Sequence, residues 1–153
     1  MMRCLFVLLG VCWLAACASS PTPRFHALQA RAEAGAEPKS SVRVVVEAVG
    51  LPAGVDRKQI VLGTGRPRFE DFDLWAAPLR EDLGRVIALD LSRQLGAEQV
   101  GAWPQTRIAE PDFRVFVDLA RFESEPGVQA LIEASWMLRD REDKLVASGR
   151  SVH

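Results

Sequence analysis

After residue 17 the sequence contains no cysteine, and in the whole chain only two histidines, His26 and His153. The first absence excludes a disulfide framework, a thiol nucleophile and a Cys-containing zinc site in everything that follows the leader. The second leaves no histidine pair to serve as acid and base, with His26 in a short segment near the front and His153 as the last residue. Charge of one sign is also missing. With 19 Lys and Arg against 20 Asp and Glu, the chain carries a formal net charge of −1, and the signs are interspersed. No basic stripe of the kind that tracks a nucleic-acid backbone is present. Beyond the first few residues there is no apolar run long enough to cross a bilayer of roughly 30 Å as a helix. No internal repeat is read from the sequence. An all-carboxylate metal site stays open on these grounds.

What is there begins at Met1. Arg3 supplies a short positive region, and Leu5 to Leu14 form an apolar run of the length expected of a signal-peptide core. Leu14-Ala15-Ala16-Cys17 follows and reads as a lipobox: small residues let the extended backbone enter the peptidase, and the cysteine thiol carries the lipid. Residues 1–16 are therefore expected to be a lipoprotein signal peptide. Residues 17–23 form a lipidated tether, and 24–153 a single α/β domain of ordinary size. All three cysteines (Cys4, Cys12, Cys17) lie in the leader or at the cleavage point, so the mature domain has no thiol to misoxidise. The acyl chains on Cys17 are enough for stable anchoring and are the only non-protein group expected; no cofactor or metal is. Ala18 and Ser19 follow the cysteine where an inner-membrane retention signal of the enterobacterial type has Asp. By that analogy the anchor lies in the periplasmic face of the outer membrane.

The domain reads as a mixed, largely antiparallel sheet with one long helix on one face. Arg24 to Leu28 is a short strand, and residues 29–41 a polar loop or frayed turn. Val42 to Val49 is a β-branched strand, broken by Leu51-Pro52-Ala53-Gly54. Gln59 to Leu62 is another strand, ended by Gly63, Gly65 and Pro67. Leu79, Leu83, Val86, Ile87, Leu91 and Leu95 recur at helical spacing, giving a helix over 75–95 with Asp73 as its cap, Pro78 in the first turn and Gly96 just past its end. Gly84 marks a close packing point. Two alternating strands around 113–120 and 128–138 flank Glu125-Pro126-Gly127 and pair as a hairpin, and Leu145 to Val152 adds a third antiparallel strand after a turn at 141–144. Val45, Phe116, Leu131 and Met137 fall on the sheet face away from the helix, which one helix cannot cover.

Reactive chemistry is sparse. Gly63-Thr64-Gly65-Arg66-Pro67 lacks the spacing of a phosphate-binding loop and no helix follows it directly. Glu70, Asp71 and Asp73 are accounted for by capping and the helix dipole. Trp75 and Trp103 flank the helix as packing residues or partner-facing anchors. The chain is not expected to be an enzyme.

The order of segments is familiar: Arg24-Phe25-His26-Ala27-Leu28, the valine strand, Leu51-Pro52 through Val55-Asp56-Arg57-Lys58-Gln59-Ile60-Val61, Trp75-Ala76-Ala77-Pro78-Leu79, and Asp112-Phe113-Arg114-Val115. In these the chain resembles the ABC-type transport auxiliary lipoproteins, the family of paraquat-inducible protein C. The resemblance spans nearly the whole chain and is most specific at 51–61 and at Trp-Ala-x-Pro-Leu. It implies a fold similar to the TolB N-terminal domain. It also implies an outer-membrane lipoprotein beside a transporter with an ABC permease and a protein carrying MCE (mammalian cell entry) domains, moving lipid between membranes. Members of the family continue into a C-terminal helix over the second sheet face, which is missing here, so the chain reads as C-terminally truncated or covered by another subunit, a homo-oligomer included. Leu51, Pro52, Asp56, Arg57, Gln59 and Trp75 are the candidate partner-binding residues, since loops carry recognition more often than scaffold does. The leading expectation is a docking lipoprotein with no nucleic-acid role. A periplasmic lipid-binding carrier and a structural envelope lipoprotein are the alternatives.

Overall fold

Three consecutive valines make the centre of the structure, a computed structural model that describes residues 21–33 and 40–153. The leader at 1–16 and Cys17 lie outside the described residues. Val44, Val45 and Val46 are 4%, 5% and 0% exposed, as β-branched side chains on a strand closed in from both faces should be. They form β2 (Val44–Val46), which follows β1 (Arg24–His26) and precedes β3 (Gln59–Leu62) and β4 (Arg68–Trp75). Then come α1 (Leu79–Leu95), β5 (Val100–Ala102), β6 (Phe113–Glu125), β7 (Gln129–Asp140) and β8 (Leu145–Val152). The fold class is the expected one, mixed α/β with one long helix, and its strands divide between two sheets. The larger has the order β5-β2-β6-β7-β8 and the smaller β1-β4-β3.

In the larger sheet β2 runs parallel to both β5 and β6. The β6–β7 pair is the antiparallel hairpin read from the alternation, closing at Glu125↔Gln129 around Pro126 and Gly127, and β8 continues it antiparallel. Helix α1 lies over β5 and β2. Ala88 packs with Val46 and Ala102, and Ile87, Leu91, Val100 and Val115 close around them. Gly96 ends the helix in the left-handed conformation at φ 58°, its N–H donating to Ser92 O, the stop that a glycine there predicts.

Four sequence expectations are corrected. The helix begins at Leu79, after Pro78, and Trp75 is the last residue of β4, because Arg68 to Trp75 pairs with β3 on one side and β1 on the other. Asp73 therefore caps nothing. Its carboxylate accepts from Arg24 and from His26 Nε2 (2.7 Å) on the neighbouring strand. Leu95, read as the end of the apolar stripe, is 41% exposed. Val45 is buried and not on an open face. Gly101 pairs beside it, and the segment after β5 folds back so closely that a Cβ at Gly101 would sit 2.3 Å from Thr106 Oγ1. Toward β7 and β8 the described residues leave the larger sheet open on both sides, with Ile132, Trp136 and Met137 all more than a third exposed. There the Trp136 indole lies over Gly149, where a Cβ would come within 2.7 Å of Cζ2.

The segment after β1, read as a loop, is an extended strap laid along α1. Ala76 N–H donates to His26 O (2.8 Å) where it starts. Leu28 then gives its N–H to Asp82 (2.8 Å) and takes Arg85 on its carbonyl (3.0 Å). Ala32 does the same with Asp90 (2.8 Å) and Arg93 (2.9 Å). The two periods match: four extended residues span ~13 Å and eight helical residues ~12 Å.

Candidate functional site

Five of the six candidate residues from the sequence lie in the loop between β2 and β3 and at the start of β3, with Trp75 at the end of β4. Pro52 organises the loop through its carbonyl, which accepts from Val55 N–H (3.0 Å) and Asp56 N–H (3.2 Å). The turn delivers the Asp56 carboxylate to Arg80 Nη2 at 2.7 Å, and Arg80 Nη1 donates to Val49 O at 2.7 Å. One arginine in the first turn of α1 thus clamps both ends of the loop. Trp75 N–H donates to Lys58 O (2.8 Å), which fixes the other side.

The result is a hollow of about 340 Å³ whose lining includes Asp56, Arg57, Lys58, Trp75, Pro78 and Leu79. The structure therefore brings together three of the six candidates: Asp56, Arg57 and Trp75. Gln59 sits in β3 opposite Leu74. Leu51 and Pro52 are half-buried in the turn, and Pro52 faces a separate hollow of about 240 Å³ against Gly63, Gly65 and Ala120 to Glu123. Lys58, Ala76 and Pro78 were not singled out as site residues, although Trp-Ala-x-Pro-Leu is the motif that builds the floor. The rim is cationic, and Arg57 also stacks on Phe69, 4.2 Å from its centroid. With Asp56 held by Arg80, the hollow presents an apolar floor and fixed charge, which suits recognition of a surface.

A second and larger groove, about 590 Å³, runs between α1 and β5. Ala88, Leu89, Val100 and Ala102 make its apolar wall, and Asp82, Arg85 and Gln105 its polar rim. The sequence reading missed both this groove and the strap beside it. The signal was present, however, in Asp-Leu-Gly-Arg at 82–85 and Asp-Leu-Ser-Arg at 90–93, the same pattern eight residues apart.

Two carboxylates stand out electrostatically. Asp73 is held below the usual carboxylate range, first by its hydrogen bond from Arg24 and then by that from His26. Asp112 is held far lower by Arg43, through side chain and backbone, and by Arg141. Asp112 joins the starts of β2 and β6 to the β7–β8 turn. Among the described residues no three His, Asp or Glu side chains gather as a metal site, and no helix is long and apolar enough to cross a membrane.

Comparison with known proteins follows the same lines. The family model described as ABC-type transport auxiliary lipoprotein component matches residues 26–153. No curated protein matches the sequence. Among solved structures, a crystal structure of a Xanthomonas campestris protein of the DUF330 family superposes with a TM-score of 0.67 at 20% identity, covering 85% of this chain and 76% of that one. An uncharacterised protein superposes at 0.63 with 19% identity, covering 87% and 80%. At these identities the two structures speak for the fold.

Proposed function

The chain belongs to the ABC-type transport auxiliary lipoprotein component family, and on that premise we propose that it is the lipid-anchored docking subunit of an MCE-type system carrying lipid between membranes. It would hold the transporter at the outer membrane. Cys17 supplies the anchor, and the domain supplies a recognition surface without chemistry of its own. The observation that carries this reading is the hollow beside Trp75, where the loop after β2, the end of β4 and the start of α1 set an apolar floor within a charged rim. Anchoring raises the local concentration of this surface for a partner in the same envelope space, so that a modest contact suffices. The test is a pull-down of the lipidated protein from native envelopes with mass spectrometry of what accompanies it. An MCE-domain protein or its permease is the expected result. Recovery of envelope proteins unrelated to transport would refute the docking role and favour a structural envelope lipoprotein.

The groove between α1 and β5 favours a second reading, a periplasmic lipid carrier. Its volume and apolar wall suit part of an acyl chain. That reading predicts lipid extractable from the purified domain in stoichiometric amount, whereas the docking reading predicts none.

A further inference from the structure

We infer that the tip of the β3–β4 hairpin, with Arg66 and Arg68, rests on the anionic phospholipid headgroups of the membrane that holds the Cys17 acyl chains. This deepens the docking reading and rests on its lipid anchor at Cys17. Three observations carry the inference. The first is direction. β1 runs parallel to β4, with Arg24 beside Asp73, Phe25 beside Leu74 and His26 beside Trp75. At Arg24 the strand direction, taken backward, is therefore that of β4 taken backward from Asp73, toward the hairpin tip at Gly63 to Pro67.

The second is reach. Cys17 lies seven residues before Arg24, and Arg66 seven residues before Asp73. Each span reaches at most about 25 Å. An anchor in the bilayer on a tether of that length therefore leaves the tip of this hairpin within reach of the headgroups.

The third is composition. From Gly63 to Arg68 the hairpin tip carries two cations, Arg66 and Arg68, and no acid. Arg66, Pro67, Arg68 and Phe69 are exposed, and Phe69 presents 46% of its surface to solvent. An exposed aromatic beside cations suits an interface between anionic headgroups and acyl chains. The acids nearby are Glu70 and Asp71, two and three residues further along β4, Asp73, taken by Arg24 and His26, and Glu123 on β6, taken by Arg121 (2.8 Å). Glu125 stands at the β6–β7 turn, near where Gly63 N–H donates to Ser124 O.

The experiment uses the full mature lipoprotein reconstituted into vesicles, with Thr64→Cys as the single free thiol, carrying an environment-sensitive fluorophore. The vesicles are phosphatidylcholine alone, or a three-to-one mixture with phosphatidylglycerol, each with a nitroxide-headgroup quencher. A matched Asp143→Cys label on the β7–β8 turn serves as the reference. The inference expects strong quenching at 64 in the anionic vesicles, little at 143, and release at high salt, where screening acts within a few ångströms. Arg66→Gln with Arg68→Gln should lower the contact equilibrium about 25-fold, each cation being worth ~5-fold at such a surface. A label at 64 that stays unquenched on a protein whose intact mass shows lipid at Cys17 overturns the hairpin contact and leaves the anchor standing. Equal quenching in neutral vesicles overturns the anionic assignment. A mass without lipid overturns the anchor and this inference with it, since the reach is measured from that cysteine.

Discussion

Gly84 sits in the middle of α1, buried against the sheet, where a glycine costs a helix about 1 kcal/mol relative to alanine. Its sequence context reads as a close packing point, yet a Cβ there would lie 3.6 Å from Ala102 Cβ and 3.8 Å from Val49 Cγ2, ordinary contact distances. Gly84→Ala is therefore expected to stabilise the domain by ~0.5–1 kcal/mol, read as a higher midpoint in urea unfolding at unchanged slope; a lower midpoint would show that the site has no room. Leu79, 1% exposed at the helix start, is the opposite case: Leu79→Ala should cost about 2–5 kcal/mol in the same assay. Asp112 governs acid behaviour. Because Arg43 and Arg141 hold its pKa below the ordinary 3.8, the folded state binds its proton less readily than the unfolded chain. Its contribution is then fully present above that ordinary value and is lost as pH falls below it. Thermal melts across this acid range should show the midpoint falling with pH in the natural protein, and a shallower fall in Asp112→Asn, which also starts lower at neutral pH. Equal slopes in the two proteins would remove Asp112 from the account.

At the scale of elements, the paired Asp-Leu-x-Arg segments of α1 act as two clasps, each satisfying the N–H and C=O of one strap residue as a neighbouring strand would. With Asp82→Ala and Asp90→Ala combined, the amides of Leu28 and Ala32 lose their acceptors. Hydrogen exchange there should rise toward the unprotected rate while β6 and β7 keep their protection, and cleavage by trypsin after Arg31 should become fast. Global unfolding instead would mean that the strap belongs to the core. These clasps also explain what the sequence revealed and what it hid. The β6–β7–β8 meander was legible because its alternation and Pro-Gly turn are local signals, and α1 because its leucines keep helical period. Strand β4 was not legible: Arg-Phe-Glu-Asp-Phe-Asp mixes charge with aromatics, and its acids imitate the first turn of a helix. It is a strand only because β1 and β3 flank it, a long-range fact. The strap has no apolar period, being held through its backbone. At the site, Trp75 and Asp56 were legible as motif residues. Their meeting across the start of α1 depends on Arg80, which no local pattern around residues 51–61 reveals.

For the whole molecule the controlling fact is that both ends of the functional reading lie on the smaller sheet. β1 follows the proposed tether, and β3 and β4 carry the loop and Trp75 on either side of the hollow. β1 and the hollow thus belong to one sheet, and under the proposed anchoring at Cys17 the effective concentration of the hollow for an envelope partner is set by the length of chain before β1. A short linker of this kind gives local concentrations in the millimolar range and avidity gains of about 10²–10⁴ over the free contact. Cys17→Ser should therefore lower recovery of the transporter from envelopes by a factor of that order, while Arg57→Glu, at the rim of the hollow, should lower it with the lipid anchor intact. The two losses distinguish the parts. The Cys17→Ser chain should still bind the partner when supplied at millimolar concentration, because its hollow is unchanged. The Arg57→Glu chain should remain membrane-bound and fail at any concentration if the rim charge is what the partner reads. Full recovery with Arg57→Glu would move the contact elsewhere, and the open β7–β8 half of the larger sheet, where Ile132 and Trp136 are exposed, is the surface to which it would move.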